Sequence, residues 1–380
     1  MKWPHVIFES LYAVPSRNGV YKPREFHGSG CRMVNMGELF GYDFISNQEM
    51  NRVELTDAEL AVASLEDGDL LFGRRSLVEA GAGKCSLVVE PLESLTFESS
   101  IIRVRLDNRL VSPRYFYYYF QSPEGRGRIR SIVSGTNVKG IRGSDLRRLE
   151  VARPPKGVQE RICTVLSAYD DLIENNTRRM ALLEQAARLL YDEWFVRLRF
   201  PGHEHTRIIA GVPEGWERTT LGDRVVLNYG KALKADDRRV GDYPVYGSSG
   251  VVGTHEKPLV DGPGIIVGRK GNVGAVYWST RSYYPIDTVF FIDSDASTLY
   301  LYYALKRMHF ISTDVAVPGL NRDFAYSRPL LVPPANLMRA FLDTVGVFHE
   351  QLEKLGEINE KLRSARDLLL PRLMSGRIEV

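Results

Sequence analysis

"LEVARPPKGVQERI" (residues 149–162) is a short apolar run that reads as a strand, then two prolines, then the opening of a helical pattern. "PLLVPPANLMRAF" (329–341) is written the same way. Laid over one another without gaps, Pro154 and Pro155 fall on Pro333 and Pro334, and Gly140 and Ile141 fall on Gly319 and Leu320. The match continues upstream. "DGDLLFGRR" (67–75) resembles "DGPGIIVGRK" (261–270): a turn, a buried strand, a glycine and a basic pair. "SIIRVRLDNRLVSPRYFYYYF" (100–120) resembles "DTVFFIDSDASTLYLYYAL" (287–305): a strand, a polar break with serine and an aromatic helix. A period of about 180 residues is too long for a solenoid, so the chain is a duplicated domain, each copy followed by its own long helix.

Each helix carries a seam spaced alternately by four and three residues. The first runs through Ile162, Leu166, Tyr169, Ile173, Asn176, Met180, Leu183, Ala187, Leu190 and Trp194. The second runs through Phe341, Val345, Phe348, Leu352, Leu355, Asn359, Leu362, Arg366, Leu369 and Leu373. This is the repeat of a coiled coil. Antiparallel pairing sets Asn176 against Asn359, Ala187 against Phe348 and Tyr169 against Arg366, the last as a cation–π contact. Parallel pairing would put both asparagines against apolar partners. A buried amide without a partner costs about 1–3 kcal/mol, so the antiparallel register is expected, with the two asparagines fixing it. The seam can close within one chain or between two. Pro371 is expected to end the second helix near Leu370 and to leave the Ile162–Leu373 layer frayed.

The fold class expected is α+β: two similar domains separated by two long helices in an antiparallel coiled coil, with pseudo-two-fold symmetry. The first globule takes 1–155, its helix 156–198, a polar, turn-rich linker 199–216, the second globule 217–334, and the second helix and tail 335–380. Such heads would stand a set distance apart and could measure a partner that repeats along an axis, as DNA does.

Composition excludes several classes. At 380 residues there is room for two cores. No apolar run reaches the roughly 18 residues of a membrane span, and "MKWPHVIFES" lacks the basic and apolar regions of a signal peptide. Three scattered cysteines, Cys31, Cys85 and Cys163, suit a reducing cytoplasm better than a disulfide framework. The formal net charge is only +3, yet 124–148 gathers Arg126, Arg128, Arg130, Lys139, Arg142, Arg147 and Arg148 against Glu124 and Asp145. Such a stripe attracts a polyanion; the plain alternative is a solvated face.

No motif points to chemistry in the chain itself. "GRKGNVG" (268–274) lacks the spacing of a phosphate-binding P-loop and lies between strands, so it reads as a tight turn presenting Arg269, Lys270 and Asn272. "GHEH" (202–205) offers His203 and His205 without further ligands nearby, and no metal is expected.

At this point the sequence resembles the specificity subunit of type I restriction–modification systems. The resemblance spans the chain and rests on the duplicated endings, on "LSAYDDLIENNTRRMALLEQAARLLYDEWF" (166–195), on "LLPRLMSGRIEV" (369–380), and on "PVYGSSGVVGTHEKPLVDGPGIIVGRKGNVGAVYWS" (244–279). It implies two target-recognition domains, each reading half of a split sequence in double-stranded DNA, with the helices setting the unspecified gap. It also implies docking of two adenine methyltransferase subunits and two restriction-translocase subunits. S-adenosylmethionine, ATP and Mg²⁺ would belong to those partners, leaving this chain without cofactor, catalytic residue or membrane.

Bases are read by Arg or Lys and by Asn or Gln, and phosphates by basic side chains and backbone N–H groups. On that ground the expected DNA-facing set is Arg74, Arg75, Arg103, Arg126, Arg130, Asn137, Lys139 and Arg142 in the first globule. In the second it is Lys231, Lys234, Tyr246, Ser248, Ser249, Lys257, Arg269, Lys270, Asn321 and Arg322. Tyr115, Tyr117, Tyr118 and Tyr119 would stack on bases if exposed, but their helical run reads as core. Two rivals belong to other classes: a fused modification enzyme, for which the Asn-Pro-Pro-aromatic and cofactor motifs are missing, and a protein-binding scaffold without sequence-specific DNA recognition.

Overall fold

The structure is a computed structural model that describes residues 3–77, 81–310 and 319–380. It divides into two compact units: residues 1–174 with 360–380, and residues 175–359.

The two units repeat one design strand by strand. In the first, a sheet runs in the order Tyr12–Asn18, Ile101–Leu106, Leu70–Gly73, Cys85–Val88 and Phe44–Ile45. In the second, the order is Asn228–Tyr229, Val289–Ile292, Gly264–Gly268 and Val276–Ser279, which is the same sheet without its last edge strand. Registers agree as well: Ile101 lies opposite Gly73, as Val289 lies opposite Gly268. Each unit adds a three-stranded sheet whose central strand, His27–Val34 or Tyr243–Gly247, has one parallel and one antiparallel neighbour. Each also closes with an antiparallel pair, His5–Ile7 with Glu150–Ala152 and Glu217–Thr220 with Pro329–Val332. The last strand of each pair is the apolar run before the two prolines.

The aromatic helices Pro113–Gln121 and Leu299–Arg307 fill the cores. Tyr115 through Phe120 are all buried, and Phe8, Phe72 and Phe120 meet edge to face around them. A helix apolar on every side belongs inside a core, so these tyrosines are structural.

The long helices are Lys156–Tyr191, continued by a π-helical turn Asp192–Val196, and Ala335–Met374. Between 171 and 190 the seam positions Ile173, Asn176, Met180, Leu183, Ala187 and Leu190 are the ones withdrawn from solvent. Leu172, Leu182 and Leu189, off the seam, are exposed. Within the second unit the helices run antiparallel. Asn176 Nδ2 donates to Asn359 Oδ1 at 2.9 Å, while further along the first helix Tyr191 and Trp194 meet Phe341 with ring centroids 6.1 and 6.0 Å apart. Asn359 Nδ2 also donates to Thr177 Oγ1 at 3.3 Å. The seam therefore closes within one chain.

Two expectations about the helices are corrected by the first unit. Arg366 is held by a carboxylate instead of the Tyr169 ring: its Nη1 reaches Asp170 Oδ1 at 2.6 Å, and Tyr118 Oη donates to the other Asp170 oxygen at 2.5 Å. A half-buried guanidinium gains more from a charge-assisted bond than from a ring face. Pro371 does not stop its helix either, which continues to Met374. Leu370, Leu373 and Met374 are buried with Ile162 and Leu166 in the first core, and that apolar burial outweighs the one backbone bond proline cannot make. Gly376 in left-handed conformation and Trp3 Nε1, donating to Met374 O at 2.7 Å, then finish the helix.

Among the described residues no helix is long and apolar enough to cross a membrane. The three cysteines are free.

Candidate nucleic-acid interface

The duplicated basic pair sits at one recurring place in each unit. In the first, the buried strand Leu70–Gly73 delivers Arg74 and Arg75 to the surface. Arg74 N–H donates to Ser100 O at 2.8 Å, and Ile141 N–H donates to Arg74 O at 3.0 Å. Gly140 pairs with Arg75. In the second, Gly264–Gly268 delivers Arg269 and Lys270. Arg269 N–H donates to Thr288 O at 2.9 Å, Leu320 N–H donates to Arg269 O at 2.8 Å, and Lys270 bridges Gly319. The gap-free match of Gly140-Ile141 to Gly319-Leu320 is thus a match of hydrogen bonds.

Close backbone approach explains the glycines. A Cβ on Gly140 would lie 2.8 Å from Arg74 O, and one on Gly268 would lie 2.1 Å from Asn272 O. The segment 268–275 is a tight turn between Gly264–Gly268 and Val276–Ser279, closed by Gly274 N–H to Gly268 O at 2.8 Å.

In the first unit this bridge lines a cleft of about 360 Å³ with Arg74, Arg75, Lys139 and Arg142 and no carboxylate. A second cleft of about 480 Å³, sharing Arg142, adds Arg148, which belongs to the basic stripe of 124–148 but not to the expected DNA-facing set, beside Asp145. Among the described residues none of Arg74, Arg75, Lys139 and Arg142 is in an ion pair, whereas Arg105 is paired with Glu66 and Asp69, and Arg52 with Glu93. Arg130 and Asn137 are exposed nearby in the chain.

Two residues of the expected set are not at the surface. Arg103 lies within the strand Ile101–Leu106, 5 % exposed, with Ser64 O 3.5 Å from its Nη1. Burial holds its pKa below the usual arginine value against the pull of Asp69, and it belongs to the interior group around that aspartate. Tyr246 is 8 % exposed, edge-on to Tyr283 at 5.7 Å, and its ring is core. In both cases the strand is buried on both faces, so the selected side chain is enclosed whichever way it points. Arg126 is half-buried and gives one donor to Gly83 O at 3.0 Å, which commits part of its fork to the 81–84 turn.

The rest of the second set is accessible. Ser248 and Ser249 form the turn before Gly250–His255, and a Cβ on Gly271 would touch Ser248 Oγ at 3.0 Å, so this turn abuts the 268–275 turn. Lys231, Lys234 and Lys257 are exposed on the chain before and after the Tyr243–Gly247 and Gly250–His255 hairpin. Asn321 is exposed but caps the helix Arg322–Tyr326, accepting from Phe324 N–H at 3.0 Å. Tyr229, missed by the sequence reading, is half exposed with Arg269 and Arg322 over its ring. His203 Nδ1 lies 2.9 Å from Phe200 O, and no cluster of three or more His, Cys, Asp or Glu suited to a metal occurs among the described residues.

Buried, duplicated scaffolds each lift to the surface a basic pair that is in no ion pair among the described residues, an arrangement that suits a polyanion. The family profile described as "Type I restriction modification DNA specificity domain" matches twice, at residues 40–185 and 213–360. The MjaIX specificity subunit of Methanocaldococcus jannaschii is 23 % identical, covering 94 % of this chain and 89 % of its own length. The HindI specificity subunit of Haemophilus influenzae is 22 % identical over 91 % of this chain and 94 % of its own. The crystal structure of the type I restriction–modification S subunit from Mycoplasma genitalium aligns with a TM-score of 0.57 at 20 % identity, covering 98 % of this chain and 96 % of that one. With two copies of the specificity domain over most of its length, the chain belongs to the type I restriction–modification specificity-subunit family.

Proposed function

We propose that the chain is the DNA sequence-specificity subunit of a type I restriction–modification complex, each globule reading half of a split target in double-stranded DNA. The observation that carries this reading is the duplicated basic turn, closed by the same backbone bonds in both units and free of ion pairs among the described residues. Duplex DNA is a dense line of negative charge, and side chains whose backbone is already held on a ladder meet it without further backbone ordering. The candidate contacts are Arg74, Arg75, Arg130, Asn137, Lys139 and Arg142 with Arg148 added, and Lys231, Lys234, Ser248, Ser249, Lys257, Arg269, Lys270, Asn321 and Arg322.

In this reading the paired helices set the gap between half-sites, and the Asn176–Asn359 bond fixes their register. Two methyltransferase subunits and two restriction-translocase subunits dock on the assembled chain and bring S-adenosylmethionine, ATP and Mg²⁺. The chain itself is non-catalytic and works in the cytoplasm, which suits three free thiols.

The test is a genome-wide map of methylated adenine in the host with and without the gene. A split motif with a constant gap that disappears on deletion is the expected result. An unchanged methylome in cells expressing the chain and its methyltransferase would overturn the reading.

A further inference from the structure

The second unit holds a feature that its twin lacks. Tyr229, at the edge of the sheet, is 51 % exposed, and the guanidinium carbons of Arg269 and Arg322 lie 5.2 and 5.3 Å from the centre of its ring. Both arginines are held from other sides too. Arg269 Nη2 donates to Asp287 O at 2.6 Å, and its guanidinium carbon is 5.8 Å from the Phe290 ring. Arg322 is one helical turn from Tyr326, whose ring is 5.9 Å away and whose hydroxyl accepts from Leu227 N–H at 2.9 Å. Among the described residues neither arginine is in an ion pair, although Arg224, Arg239 and Lys306 of the same unit are.

The fold does not require this arrangement. Strand registers place Asn18 of the first unit where Tyr229 stands, and the Gly140–Gly319 match places Gly143 where Arg322 stands. The first unit closes the same ladder without the stack. Two like charges brought to one ring, with no ion-pair partner among the described residues, repel each other, and that cost is recovered when an anion binds between or beside them. Arginine suits this task because its planar fork stacks on a ring while its edge stays free for phosphate oxygens.

We propose that Tyr229 is a positioning residue which aligns Arg269 and Arg322 as a phosphate clamp on the DNA backbone, in the second globule only. The inference rests on the DNA-binding reading above and adds to it the partner group and the residue that orders the site. Tyr229 acts through the arginines and reads no base itself.

The experiment measures binding of the full chain to a labelled duplex of mixed sequence across a salt series, with thermal melting to verify folding. The double variant Arg269→Gln/Arg322→Gln is expected to bind more weakly and to lower the slope of log K against log salt by roughly 0.9 for each phosphate no longer neutralised. Tyr229→Leu is expected to lose affinity several-fold, Tyr229→Phe to keep it, and Tyr229→Leu to cost nothing further in the Arg269→Gln/Arg322→Gln background. Arg322→Lys, at an exposed position, keeps the charge but not the planar stack and is expected to weaken binding as well. Wild-type affinity and salt slope in the arginine variants would overturn the clamp. An equal loss from Tyr229→Leu in both backgrounds would overturn its positioning role. A wild-type chain that binds no duplex at low salt would overturn the DNA-binding reading first, and the clamp with it.

Discussion

Replacing Asn359 by leucine would strand the Asn176 amide in a seam where it is 8 % exposed. The expected cost is about 1–3 kcal/mol, read as a lower denaturant midpoint. The double variant Asn176→Leu/Asn359→Leu should cost less than the two single changes together, because an apolar pair leaves no amide unpartnered. His349 supplies a pH dependence. Its ring lies against Trp278, Tyr302 and Tyr303, its Nε2 is 2.9 Å from Tyr303 Oη, and burial lowers its pKa from the usual 6.5 to about 4, with Glu184 raising and Lys306 lowering it. The unfolded chain takes up the proton first. Stability is therefore whole above about pH 6.5 and declines as pH falls toward about 4. Melting temperatures across that window should fall with acidification, and His349→Phe should flatten the trend.

At the scale of elements, the end of the second long helix is decided by packing over local propensity. Pro371 removes a backbone donor in the last turn, yet Leu373 and Met374 stay buried. Pro371→Ala should raise the melting temperature by restoring the bond to Asp367 O, worth about 1–3 kcal/mol. The aromatic helices obey the same logic, and their tyrosines were legible as core because the run has no polar face. Strand faces were less legible. Arg103 and Tyr246 have the residue types that bind nucleic acid, but their strands turn them inward, toward Asp69 and Tyr283 respectively. A short strand buried on both sides does not announce its inner face by alternation.

For the molecule as a whole, the expected DNA affinity is electrostatic and spread over both units. Arg75→Gln, Lys139→Gln and Arg142→Gln should each weaken binding uniformly across sequences and flatten the salt dependence by the equivalent of about one phosphate, measured on duplexes of unrelated sequence. Variants at Arg103 should instead destabilise the first unit. Unchanged salt slopes for all three surface variants would remove the first basic cleft from the interface.

By itself the sequence determined the duplication, the seam with its paired asparagines and the glycine-and-basic turns, because each rests on local spacing that a single strand or helix imposes. Tertiary structure alone decided which arginines enter ion pairs among the described residues, where the last helix ends, that Arg366 takes Asp170, and that Tyr229 lies under two guanidinium groups. Those outcomes depend on residues tens to hundreds of positions apart meeting in space. Burial and ion pairing there outweigh what any short stretch prefers on its own.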